Sequence, residues 1–154
     1  MSFYGAIAGI VIGAVGAVLE GISAAITGIR STQTGDNKAL KTQLLVASAT
    51  VGIGTLFVIT SLVFLFMYRV KSKYVKSTGL GVLTLIFGIL GIILYIIGAT
   101  IAGVLSNQYK DDPVVYNALR TAAVLVAVGL GLLILSFIIL YSVIGKKIPG
   151  GKRK

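Results

Sequence analysis

Residues 3–29 form an apolar run broken by one charge, Glu20, and threaded with Gly5, Gly9, Gly13, Gly16, Gly21 and Gly28. About 20 apolar residues cross a hydrocarbon core roughly 30 Å thick, so this run is long enough to span a bilayer. Lipid offers the backbone no hydrogen-bond partners, which leaves only helices or a closed barrel. Barrel strands read as segments of about 10 residues with alternating hydrophobicity. The runs here are continuous and longer, and three more follow, over 44–68, 78–105 and 113–145. All four are expected to be helices. Only 12% of the residues are charged and mean hydropathy is +1.02, against about 25% charged in a soluble domain, so a water-soluble core is excluded.

The first run returns later in the chain. Gly13, Gly16, Leu19, Ile22, Ala24, Ile26 and Gly28 match Gly88, Gly91, Leu94, Ile97, Ala99, Ile101 and Gly103 at one offset of 75. A second correspondence sets Ala39-Leu40-Lys41-Thr42 against Ala118-Leu119-Arg120-Thr121. Each is followed by an apolar run holding Gly-x-Gly (Gly52 and Gly54; Gly129 and Gly131). These later matches sit at larger offsets, so the chain reads as a two-helix hairpin written twice with small insertions between copies. Internal repeats set architecture. The expected fold is all-α: a four-helix transmembrane bundle of two tandem hairpins, residues 1–76 and 77–145, with a basic tail over 146–154. Repeats running in the same direction imply a pseudo-two-fold axis along the membrane normal. Thr34-Gly35-Asp36-Asn37 reads as a turn, with Asp36 or Asn37 capping the next helix. Asp112-Pro113 reads as a helix start, because proline's missing N–H costs nothing at the first position.

Charge sets the orientation. Four spans place both termini and the 69–77 turn on one side. That side carries Arg69, Lys71, Lys73, Lys76, Lys146, Lys147, Lys152, Arg153 and Lys154, and no acidic residue. The other side carries Arg30, Lys38, Lys41, Lys110 and Arg120, offset by Asp36, Asp111 and Asp112. The positive-inside rule puts both termini in the cytoplasm or inside a particle. Tyr4, Tyr68 and Tyr141 fall near that boundary and Tyr109 and Tyr116 near the other, as interfacial aromatics do. Tyr95 is the exception, in mid-span at the position matching Glu20. The start Met1-Ser2-Phe3 lacks a basic region before a run too long for a signal-peptide core, so the first span is expected to be retained.

Three features could carry function. Gly5, Gly9, Gly13 and Gly16 on the first helix, and Gly81, Gly88, Gly91 and Gly98 on the third, recur at helical spacings. Small residues let membrane helices approach closely, either within one bundle or between copies in a homo-oligomer. Glu20 is the only acidic residue inside an apolar run, and an intramembrane carboxyl is a functional hypothesis by default. Ser23 and Thr27 lie near the same face, and the group is read either as a proton or sodium site or as a neutral acid bonded across helices. The nine basic residues attract anionic lipid or, through phosphate contacts alone, nucleic acid. The chain has no Cys and no His, and no nucleophile–base set or phosphate-cradling loop appears. No catalytic residue, metal or cofactor is expected, and Asp111-Asp112 reads as loop and cap chemistry.

Two resemblances bear on these features. The 16.0 kDa mass, four spans, glycine-rich first helix and single membrane carboxyl resemble the V-type ATPase proteolipid, which would imply a rotor ring carrying protons or sodium. That family's working carboxyl lies in the second helix of a hairpin. Here Glu20 is in the first, Tyr95 stands at its match, spans 2 and 4 hold no carboxyl, and the tail is strongly basic, so the proteolipid reading is disfavoured. The Gly/Ala/Ile/Val-rich hairpins, the short 69–77 turn and the basic Lys152-Arg153-Lys154 end resemble the hairpin coat proteins of archaeal spindle-shaped viruses. That resemblance implies a structural membrane or virion protein that self-associates, with a basic face toward packaged nucleic acid. The alternatives are an ion-translocating oligomer using Glu20 and a small four-span accessory subunit.

Overall fold

The structure, a computed structural model, describes residues 2–71 and 78–145. It contains four helices: α1 (Ser2–Thr32), α2 (Lys38–Lys71), α3 (Thr78–Gln108) and α4 (Pro113–Gly145). At 1.5 Å per residue each is roughly 45–50 Å long, longer than a hydrocarbon core. The stretches apolar enough to cross a membrane are Ile7–Thr32, Lys38–Leu65, Gly81–Gln108 and Pro113–Leu140. The protein is therefore an integral membrane protein of the four-helix, all-α class. Helix α2 starts six residues before the apolar run that announces it, because the cap and not hydrophobicity fixes its start. Asn37 Oδ1 accepts the Leu40 N–H at 3.1 Å. The preceding turn closes through Asn37 N–H donating to the Thr34 carbonyl at 3.3 Å, with Gly35 at φ +56°, a left-handed conformation that favours glycine. Asp112 Oδ1 does the same for α4, accepting the N–H groups of Val114 at 3.0 Å and Val115 at 3.2 Å. The two caps are themselves 75 residues apart. Asn37 Nδ2 also donates to the Tyr109 hydroxyl at 3.3 Å, joining the two polar loops at that end.

The helices form a closed ring in sequence order, with α4 returning to pack on α1. The most extensive contacts, α1 with α4 and α2 with α3, lie between the hairpins, and the sparsest of the four ring contacts, α3 with α4, lies within one. The hairpins are thus repeats in sequence but share one core. That core is a stack of three clusters. Leu40, Leu44, Ala102, Leu105 and Leu119 fill the loop end. Val51, Val58, Tyr95, Val126 and Leu133 fill the middle, and Leu65 and Leu140 the end near the termini.

The contacts repeat in register. Ser136 Oγ donates to the Gly9 carbonyl at 2.6 Å, and Ser61 Oγ to the Thr84 carbonyl at 2.8 Å. Donors and acceptors are each separated by 75 positions. A Cβ on Gly16 would lie 2.9 Å from the Gly129 carbonyl, and one on Gly91 would lie 3.1 Å from the Gly54 carbonyl, again a shift of 75. Buried Leu44, Ala47, Val51, Val58 and Leu65 on α2 stand where buried Leu119, Ala122, Val126, Leu133 and Leu140 stand on α4, all at the same offset. This corrects the expectation of insertions between copies: Leu119 is the counterpart of Leu44, not of Leu40. The physical reason is that register is set by glycine-to-backbone approaches and hydroxyl-to-carbonyl bonds in the spans. The Ala-Leu-basic-Thr motif recurs at two depths, with Leu40 the third residue of α2 and Leu119 the seventh of α4, so both leucines are buried but at different levels of the loop-end core. A two-fold exchange of hairpins reproduces these contacts, as the repeat implied.

Candidate functional site: a buried carboxyl and its repeat partner

Glu20 is fully buried, at 0% exposure, near the middle of the α1 span. A short span ending at Leu19, with the carboxyl at the membrane edge, is therefore not what forms. The side chain lies against Gly129 of α4, where an added Cβ would come within 2.7 Å of Oε1 and 3.0 Å of Cγ and Cδ. Glycine at that position is what makes room for the acid. Neither carboxyl oxygen has a hydrogen-bond partner among the described residues. Most buried polar atoms in native structures are paired, and among the described residues these two oxygens are the buried side-chain polar atoms left without a partner.

The residues expected near Glu20 are brought to the same buried face, but each is otherwise engaged. Ser23 Oγ donates across to the Ala122 carbonyl at 2.9 Å. Thr27 Oγ1 donates back to the Ser23 and Ala24 carbonyls at 3.1 Å. Ser31 does the same to Gly28 at 2.6 Å. These hydroxyls satisfy themselves on helix carbonyls, the usual course in lipid, and none of these bonds reaches the acid. Tyr95, the counterpart of Glu20, is also fully buried. It lies against Gly54, the counterpart of Gly129, where a Cβ would sit 3.0 Å from its Cε1. Its hydroxyl donates to Thr55 Oγ1 at 3.3 Å. The position equivalent to Thr55 on α4 is Leu130, so the repeat supplies Glu20 with no hydroxyl. Thr55 and the Gly54 and Gly129 cradles are members of the site that sequence reasoning missed. The Gly-x-Gly pattern was the available signal, read at the wrong register.

The structure disperses the other expected sites. Gly9, Gly13 and Gly16 face Leu140, Ser136 and Gly129 of α4. Gly88 meets Phe137 of α4 and Ser61 of α2, and Gly91 and Gly98 meet Val58 and Val51 of α2. Six of the eight glycines marked for packing or assembly are thus filled within one copy. Gly5 and Gly81 are half-buried. Gly21, Gly52, Gly103 and Gly131 have open space where a Cβ would point. Of the nine basic residues, Arg69 and Lys71 lie in the last turn of α2, with side chains outside the described residues. Lys73, Lys76, Lys146, Lys147, Lys152, Arg153 and Lys154 also lie outside the described residues. Among the described residues no cluster of three or more metal-ligating side chains occurs. Compared with protein families, curated proteins and solved structures, the chain matches none.

Proposed function

We propose that the protein is a structural membrane component: a close-packed four-helix body that self-associates laterally into a membrane-embedded or coat-like assembly with its basic end turned to one side. The observation that carries this reading is the closed interior. Core hydroxyls are bonded to helix carbonyls, and glycines bring α1 onto α4 and α2 onto α3. That supports a solid body rather than a conduit. The working surfaces are then the apolar exterior and the helix ends. Gly21, Gly52, Gly103 and Gly131, which meet nothing inside the copy, are where a neighbouring helix can approach. The test is the mass and arrangement of the gently extracted protein, by native mass spectrometry and electron microscopy. A large array or particle that dissociates in Gly21→Leu or Gly131→Leu, with the bundle still folded, is the expected result. A monomer overturns the reading. The basic end would meet anionic lipid or nucleic acid. Replacing Lys152, Arg153 and Lys154 with Gln should then weaken salt-sensitive retention on that partner.

A second reading has its own observation, the unpartnered Glu20 carboxyl at mid-membrane. Under it, a homo-oligomer binds a proton or sodium ion at Glu20. Glu20→Gln would abolish ion flux in proteoliposomes while leaving assembly intact. No flux in the native protein, with assembly present, decides for the structural reading.

A further inference from the structure

Glu20 is the one glutamate of the chain, and the other acids, Asp36, Asp111 and Asp112, all lie in the polar loops. Charged groups inside a membrane pair with one another or mark the path of an ion. Among the described residues Glu20 has no basic partner. Arg30 is ten residues further along α1, roughly 15 Å at 1.5 Å per residue, and donates to Gln33 Oε1 at 2.8 Å. The middle core cluster of Val51, Val58, Tyr95, Val126 and Leu133 has no charged member. What balances the acid is therefore a small cation, and the site discriminates between the two candidates. A metal cation sheds its water only where several oxygens replace it, and in membrane proteins unwound backbone turns carbonyls toward a sodium ion. Here α1 to α4 run unbroken through their spans, so their carbonyls point along the helices into the backbone ladder. Oε1 is packed on Gly129, where an added Cβ would sit 2.7 Å away, and no metal ion fits between that oxygen and α4. A proton needs one oxygen and no shell. It also changes what the group can bond. A carboxylate only accepts, and the nearby hydroxyls of Ser23, Thr27 and Tyr95 donate elsewhere. A carboxylic acid donates, and every helix carbonyl keeps a second lone pair to receive it.

We propose that the cation Glu20 takes is a proton and not sodium. The proton bonds to one carboxyl oxygen to give the carboxylic acid, and leaves by the same bond, so exchange consumes nothing else. This inference rests on the reading of Glu20 as an ion site and names the ion.

The test needs no variant. Because Glu20 is the only glutamate, glutamate carrying heavy carbon at its side-chain carboxyl marks it alone among the acids. Infrared difference spectra of the labelled against the unlabelled full chain, in bilayers at one fixed neutral pH, then isolate its stretches. The carbonyl band of a carboxylic acid should move with the label, and its amplitude should be unchanged when sodium replaces choline in the buffer. A band lost in sodium and regained in choline, with carboxylate stretches in its place, overturns the inference and keeps an ion site at Glu20. Carboxylate stretches in both salts overturn it as well. Flux is read on proteoliposomes of the same preparation. A sodium-insensitive acid band with no flux of either ion removes the transport reading and leaves the inference standing.

Discussion

Glu20 and Tyr95 occupy the same place in the two repeats, and the difference between them isolates what is specific to this protein. Both are fully buried at mid-membrane, and both lie on a glycine of a helix from the other hairpin. Tyr95 has the Thr55 hydroxyl to bond. Glu20 has Leu130 at the corresponding position and, among the described residues, no partner for either oxygen. The scaffold therefore treats the position as a large side chain in a glycine cradle. Polar satisfaction is added by a single hydroxyl, in one repeat only. The acid is what departs from the repeat, which is why it is the candidate for a role that packing does not require.

The comparison breaks most completely if the cradles are filled. Gly16→Leu would drive a side chain into the Gly129 carbonyl, and Gly91→Leu into Val58 and the Gly54 carbonyl. Overpacking costs typically about 1–3 kcal/mol, and more where backbone must move, so both variants should fall at or above the top of that range. Unfolding titrations in mixed micelles would read the loss, and equal losses at the two sites are the signature of the repeat. If one variant unfolds the bundle and the other is tolerated, the two-fold account of the core is wrong.

Replacing the acid should have the opposite sign. Glu20→Leu removes two unpaired polar atoms from the interior. Leaving a buried donor or acceptor unsatisfied costs about 1–3 kcal/mol, and an apolar side chain of similar volume carries no such cost. Greater resistance to denaturant is expected, and a destabilised Glu20→Leu would mean that the carboxyl has a partner in the membrane.

Smaller effects sharpen the picture. Ser61→Ala and Ser136→Ala each lose one interhelical hydrogen bond, for which membrane double-mutant cycles average about 0.6 kcal/mol, and the two losses should agree. Transplanting the Tyr95 arrangement is the finest test. Glu20→Tyr alone should leave its hydroxyl unpaired, and adding Leu130→Thr should recover about 0.6 kcal/mol. Absence of coupling in that cycle would show that the cradles differ in more than the hydroxyl.

The sequence by itself determined the class, the helix count and the repeat. Long apolar runs admit only helices in lipid. Thr34-Gly35-Asp36-Asn37 and Asp112-Pro113 place the helix starts through local cap and turn chemistry that needs no tertiary partner. The glycines and Glu20 were visible as candidates because they are chemically unlike their surroundings. What they touch was not legible. Glycine spacing says that a helix face is thin, not which helix fills it, and only the packed bundle puts Gly9, Gly13 and Gly16 on α4 rather than on a second copy. The true register of α2 against α4 was hidden for the same reason. Side chains facing lipid are interchangeable, so matches along the chain blur. Contacts between helix backbones are not interchangeable, and they hold the offset of 75 from the Asn37 and Asp112 caps to Leu65 and Leu140. Whether the mid-membrane acid meets a hydroxyl or an apolar surface depends on Gly129 and Leu130, 109 and 110 positions away in the chain, and only the tertiary structure brings them together.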